Sequence, residues 1–439
     1  MISNDSPEVT DGSCCTVGHC PRMSGGLGSV AACVGLVLAL LLAQCGYERG
    51  PAPVDLTVWM YPVIIDPQAG EAYWNGIEED FEKVSPGVRL TVERLPWAGR
   101  DRRVAEALAG DNGPDAVLLM PDQIPRFASR RAIVPVDAAL KGNEDRFLSA
   151  ALDAVTENGR IYGAPIYQTV TTTIYNKRLL SEAGVTTPPT TWDEIKAAAP
   201  KLHSKGIALL DYSASDDASL NLNFYPLLWQ AGGRVFAEDG NRVAFNGPEG
   251  VEALTFLTDL FRQGAVPASS MRNTNRLGDQ ALGRQRAAMG YSVVLPDADL
   301  AARTWGKENV LVGGPLKGPT REAAFGAPGA LVVNAKSRHR AETQKFLAFM
   351  IRPEQIRSLA WASGYLSPRT DVVVPSDSPY AMQYQAALAS IFVGEPHPAS
   401  RQVMALLAPE IRAALTGRKS PAAALDAAAL AADELLRSS

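Results

Sequence analysis

Between Val54 and Arg131 the chain switches its hydrophobic period back and forth between strand-like and helix-like, and this alternation constrains the fold more than any other feature. Val54 to Tyr61 (VDLTVWMY) alternates apolar and polar and then turns fully apolar, as a strand entering a buried sheet does. A helical pattern over 69–84 is stopped by Ser85-Pro86-Gly87, and Val88 to Glu93 alternates again. A helix near 102–109, a strand at 116–120 and a helix near 125–131 continue the series. Such a β-α-β start predicts an α/β fold with a mostly parallel sheet covered by helices.

A second zone opens at Ile161-Tyr162-Gly163-Ala164-Pro165 and leads into a β-branched strand over 169–175. Helices at 192–205, 220–230 and 248–263 surround a strand at 207–211. Strands at 287–294, 310–312 and 330–333 follow, and helices from His339 onward end the chain. No repeat of solenoid or propeller period is present. The Ala-rich end carries Leu425, Leu430, Leu435 and Leu436 at near-helical spacing, which predicts a packed terminal helix.

The net charge is −5, from 42 basic and 47 acidic side chains, and no long basic run occurs, so a nucleic-acid partner has no electrostatic support. All five cysteines (Cys14, Cys15, Cys20, Cys33, Cys45) precede residue 46, which excludes disulfides and Cys-ligated metals from the rest. An uncharged apolar stretch over 27–43 is short against the roughly 20 residues of a membrane span and closer to a signal-peptide core. Leu42-Ala43-Gln44-Cys45 resembles a bacterial lipobox. On that reading 1–44 is a leader, Cys45 is the lipid acceptor and 45–53 is a Pro/Gly tether. Gln44 stands where the pattern expects a small residue, and Arg22 is the only basic residue ahead of the apolar core; an uncleaved anchor helix is the alternative. In both cases the protein sits on the outer face of a membrane.

Phosphate-loop, dinucleotide, nucleophile-elbow and zinc-hydrolase motifs are all missing, and His203, His339 and His397 have no ligand spacing. No catalytic residue, metal site or cofactor is expected. Two carboxylates across a pocket would suffice for a surface glycoside hydrolase, which stays open as the alternative function.

Tyr175-Asn176-Lys177-Arg178-Leu179-Leu180-Ser181-Glu182-Ala183-Gly184, followed by Pro188-Pro189-Thr190-Thr191-Trp192-Asp193-Glu194, closely resembles the signature of family 1 extracellular solute-binding proteins, the sugar-binding subunits of ABC importers. Its physical content is a strand end, a short helix closed by Gly184, a Pro-Pro turn and a helix capped by Thr191 with Glu194 three residues on. Gly113-Pro114-Asp115-Ala116-Val117, Gly163-Ala164-Pro165, Gly329 to Lys336 and Gly364-Tyr365-Leu366-Ser367-Pro368-Arg369 match further family segments in order.

The resemblance implies a type II, two-lobed periplasmic-binding-protein-like fold with the ligand cleft between lobes joined by hinge crossings. Lobe 1 would comprise 54–167 plus 312–347 and lobe 2 168–311 plus 348–439, with crossings near Tyr167–Thr169, Val310–Gly314 and Phe346–Met350. It further implies a monomer that binds a carbohydrate, meets the permease subunits of an ABC importer and performs no catalysis.

Sugars need directional partners for their hydroxyls and aromatic faces for their C–H surfaces. Loops after the first strands supply Tyr61, Asp66, Gln68, Trp97, Arg100 and Asp122. The resemblance adds Thr169 at the crossing, Asn221, Asn223 and Phe224 in the following segment, Tyr291, Ser292, and Gly326 before the late strand. His397 falls where several actinobacterial-type relatives carry an Arg, a departure that counts against anion recognition. With no basic cluster obvious, a neutral oligosaccharide or amino sugar is expected. Trp59, Trp74, Trp192, Trp229 and Trp361 are expected in packing roles.

Overall fold

The computed structural model describes residues 53–215 and 219–438; the leader, Cys45 and the tether up to residue 52 lie outside them. β1 (Val54–Met60), α1 (Pro67–Val84), β2 (Val88–Arg94), α2 (Arg100–Ala109), β3 (Ala116–Leu119) and α3 (Ile124–Ser129) come in the expected order. α1 starts where it does because Asp66 Oδ1 accepts from the Ala69 N–H at 2.8 Å and Pro67 occupies the first helical position. Its buried face is Gly70, Trp74, Ile77 and Phe81. Each large side chain there contributes about 1.5–3 kcal/mol by leaving water.

After β4 (Ile133–Val134), β5 (Ala164–Gln168) runs out of the first lobe and β6 (Thr171–Asn176) begins the second. The second lobe continues with α4 (Trp192–His203), β7 (Ala208–Leu210), α5 (Phe224–Gln230), α6 (Pro248–Arg262), β8 (Ala287–Val294) and β9 (Val310–Val312). β10 (Pro328–Asn334), α7 (Arg340–Met350) and α8 (Pro353–Ser363) return to the first lobe; α9 (Ser400–Leu415) and α10 (Pro421–Ser438) close the second.

The first sheet has the order β2-β1-β3-β10-β4, with β5 also on β10, and the second β9-β6-β8-β7. β1 is parallel to β2 and β3, but β10 is antiparallel to β3, β4 and β5. Both sheets are therefore mixed rather than mostly parallel. β5 leaves for the second lobe and β10 comes back from it, so the two must run in opposite directions.

One hydrophobic core underlies the first sheet, and the second sheet is packed on two, the smaller of them holding Ile174, Val293, Val310 and Val312. In the first lobe Phe81 meets Phe346 edge-on at 5.2 Å among Trp74, Leu118 and Val332. In the second, Trp192 stacks on Phe256 at 4.2 Å beside Trp229 and Leu257. The signature segment is tied down as its residues suggest. Tyr175 Oη donates to the Pro189 carbonyl at 2.7 Å, Gly184 takes φ 68°, and Thr191 and Glu194 form a reciprocal capping box.

Four expectations change. The crossings at Val310–Gly314 and Phe346–Met350 fall instead at Gly326–Pro328 and between Val372 and Tyr380. Val310–Val312 is an edge strand on β6, while Phe346, Leu347 and Met350 are buried in the first-lobe core with Ile356 and Leu359. Leu316, Ala323 and Phe325 pack in the second core. The helix expected over 220–230 is broken at Asn223 (φ −126°, ψ −88°), whose amide donates to the Ser219 carbonyl and whose own carbonyl accepts from Tyr291 Oη. Trp361 is 66% exposed rather than packed. The terminal helix buries Ala424, Leu425, Ala428, Ala429 and Ala432, leaving Leu430 outside, because the small alanines let it lie close to α9. Among the described residues no helix is long and apolar enough to cross a membrane.

Candidate ligand-binding cleft

The C-terminal ends of β1, β2 and β3 each run into a proline-containing loop, at Tyr61-Pro62, Pro96-Trp97 and Met120-Pro121. Proline cannot extend the ladder, so the chain turns there and its next side chains leave the sheet. Tyr61 and half-buried Trp97 stack with centroids 4.7 Å apart and planes at 21°. The Arg100 guanidinium covers both rings, 5.6 Å and 5.1 Å from their centroids. Burial pushes the Tyr61 hydroxyl up to about 12 and keeps it a donor, against the pull of Arg100 and Arg103.

Asp122, on the turn after β3, is only 3% exposed and reaches across to the second lobe. Its Oδ2 accepts from Asn221 Nδ2 and its Oδ1 from Arg401 Nη2, both at 2.9 Å. Arg401 also lies 3.5 Å from Asp101 at the start of α2. Burial works against ionisation of Asp101, but Arg401, Arg100 and Arg126 outweigh it and hold that carboxyl below its ordinary range. Gln123 orients the group, its Nε2 donating to Asp101 Oδ1 at 3.0 Å. The result is a polar bridge between lobes set beside an aromatic platform.

Two of the crossings meet next to it, with the chain at Leu366 alongside. Thr169 and Ala327 exchange both backbone hydrogen bonds, at 2.9 and 3.0 Å, and Gln168 does the same with Leu366 at 2.8 and 3.1 Å. A side chain at Gly326 would place its Cβ 2.8 Å from the Thr169 carbonyl, so glycine lets the two strands touch. With few residues carrying the connection, torsion at these pairs can swing one lobe against the other.

Of the residues expected here, Trp97, Arg100, Asp122 and Asn221 come together, with Thr169 and Gly326 at the adjoining hinge. Asp66 is exposed and caps α1, and Gln68 is exposed on its first turn. Asn223 and Tyr291 bond each other inside the second lobe, and the neighbouring Ser292 hydroxyl is buried without a partner. His397 stacks on Phe236 at 4.3 Å, its Nδ1 accepts from the Ala399 N–H, and burial lowers its pKa.

Sequence reasoning missed Asp101 and Arg401. Arg401 carried one signal: a cation in the first turn of a helix opposes the helix dipole and calls for a tertiary reason. The loop before it is anchored by Glu395, which accepts from Trp229 Nε1 and the Val235 and Phe236 N–H groups. A separate cavity of about 620 Å³ lies against Trp361, Leu366 and Asp299. Two of its polar pairs are already engaged, Ser378 on Asp299 and Arg369 on Asp371.

Two α/β lobes, three hinge passages and a polar-aromatic cleft between them define the class of two-lobed periplasmic binding proteins. Within that class the chain belongs to the bacterial extracellular solute-binding protein family, whose model matches residues 66–356. It is 24% identical over 306 residues to an arabinooligosaccharide-binding protein of Halalkalibacterium halodurans, covering 65% of each chain. The fold matches an ABC transporter solute-binding protein of Thermotoga lettingae bound to α-D-tagatose (TM-score 0.76, 22% identity, 87% of this chain and 100% of that one). It also matches the GacH receptor of Streptomyces glaucescens, solved unliganded and with acarbose (TM-score 0.75, 23% identity, 88% and 99%). The family is that of sugar- and oligosaccharide-binding ABC transporter components, binding proteins rather than enzymes.

Proposed function

We propose that the protein captures a carbohydrate between its lobes and hands it to the permease subunits of an ABC importer, held at the outer membrane face by a lipid on Cys45. The observation that carries this reading is the cross-lobe constellation of Trp97, Asp122, Asn221 and Arg401, in which the half-buried Trp97 ring, backed by the buried Tyr61, is available to C–H surfaces and the polar groups to hydroxyls. Because contacts come from both lobes, binding favours the closed state. Hydrolysis has weaker support, since a glycosidase needs one protonated carboxyl and Asp101 is held ionised, sharing Arg401 with Asp122.

Calorimetry with analysis of the recovered sugar tests the proposal. Stoichiometric binding with the sugar intact is expected; cleaved sugar would point to an enzyme. For the anchor, Cys45→Ala should abolish partitioning into detergent and leave the leader uncleaved. A wild type that is membrane-bound, unlipidated and still carries its leader would establish the anchor helix instead.

A further inference from the structure

Arg401 reaches Asp122 from the first turn of α9, so its place depends on where that helix begins. Ala399 caps the helix without a side-chain bond of its own. The loop ahead of it is tied at two points instead. Glu395 holds one end: its carboxylate accepts from Trp229 Nε1 at 3.1 Å and the Phe236 N–H at 2.9 Å, and its carbonyl from Ser400 Oγ at 2.7 Å. His397 holds the other. Its Nδ1 accepts from the Ala399 N–H and its carbonyl from the Ser400 N–H, both at 3.0 Å.

The ring accepts at Nδ1 only while it is neutral with its proton on Nε2, because the imidazolium has two donors and no acceptor. Its surroundings favour the neutral form. One face stacks on Phe236 with centroids 4.3 Å apart, and Nε2 lies beside Gly240. Burial lowers its pKa, and only a backbone bond at Gly240 works the other way. The charged groups around it are Glu395 on its own loop, Arg234, Glu238, Asp239 and Arg242 about the turn that carries Phe236 and Gly240, and Asp433 of α10, which accepts from the Val243 N–H at 2.8 Å. Among the described residues none of these carboxylates pairs with the ring, and Arg234 is taken by Glu238 at 3.2 Å. A proton on Nδ1 would put two donors face to face at Ala399 and set a cation at the N-terminus of α9, which the helix dipole opposes.

We propose that His397 is a positioning residue for the cleft: while neutral it fixes the start of α9 so that Arg401 meets Asp122, and its protonation loosens that turn and weakens both the bridge between the lobes and carbohydrate binding. The part about carbohydrate rests on the reading of this cleft as the sugar site. His397 thus acts on the ligand without touching it. Because its folded pKa is depressed, its contribution is complete above the unfolded value of about 6.5 and is lost as pH falls through the folded value. That window lies above the carboxylate range in which Asp101 acts.

Calorimetry on the purified protein with arabinotriose and maltotriose, in steps from about pH 7.5 to about pH 5, tests this across the range in which histidine titrates. Wild-type affinity for the trisaccharide that binds should fall about fivefold over that range, the size of a lost helix cap. His397→Asn, whose Oδ1 can accept from the N–H two residues on and does not titrate, should keep the high-pH affinity throughout. His397→Ala should show the weakened affinity at every pH. A His397→Asn variant that loses affinity with acid as the wild type does would pass the effect to Glu395 and overturn the inference, as would a flat wild-type profile. Urea midpoints of His397→Ala, Arg401→Ala and the double variant close a cycle. Losses smaller together than their sum are expected; strictly additive losses would show that His397 does not act through Arg401 and overturn the inference too. Failure of both trisaccharides to bind would count against the carbohydrate reading of the cleft, and the cycle alone would then decide this one.

Discussion

The two walls of the cleft are built in different ways. In the first lobe Tyr61, Trp97 and Asp122 each follow the end of a sheet strand within a few residues, displaced from the sheet by a proline. The second lobe supplies Asn221 from a tight turn and Arg401 from the first turn of α9, elements far apart in sequence. Strand-end loops share one rim because the strands are in register. Helix starts reach the same space only through how the helices pack. The first wall thus has local causes and the second tertiary ones, and substitutions should separate them.

The largest effect should come from Arg401→Ala, which strands the buried Asp122 and half-exposed Asp101 carboxylates. Removing one partner of such a pair costs about 3–5 kcal/mol, read as a lower urea midpoint. The double variant with Asp122→Ala should recover part of the loss; strictly additive losses would mean that the walls are not coupled.

Next in size is the ligand effect at the first wall. Asp122→Ala should weaken sugar binding by about 1.5–3 kcal/mol and Thr169→Ala by about 0.5–1.5 kcal/mol in calorimetry. Affinity unchanged in both would remove the ligand from this cleft. Thr191→Ala, far from either wall, should lower stability by about 1 kcal/mol through loss of the cap and leave affinity untouched.

The smallest effect is one of pH. The folded pKa of Asp101 is depressed, so its contribution is present above the unfolded carboxylate value of about 4 and is lost as pH falls through the folded value. Asp101→Asn should flatten that acid limb of the stability curve. An unaltered limb would show that Arg401 does not hold this carboxyl.

The same contrast explains what could be read from the chain alone. The β-α-β start, the Thr191–Glu194 capping box and the loops bearing Trp97, Arg100 and Asp122 were legible because each depends on neighbours in sequence. The direction of β10 was not, since it depends on which lobe the chain returns from. Arg401 was hidden within a helix whose face is decided by packing of the whole second lobe. Asp66 shows the converse: a strand-end carboxylate can be fully explained by the helix it caps.

Small-angle scattering of the wild type, without and with saturating sugar, tests the central claim that the two walls close on a shared ligand. The account predicts a smaller radius of gyration on binding, produced by rotation about the Thr169–Ala327 and Gln168–Leu366 pairs. Saturable one-to-one binding with an unchanged radius of gyration and maximum dimension would contradict it.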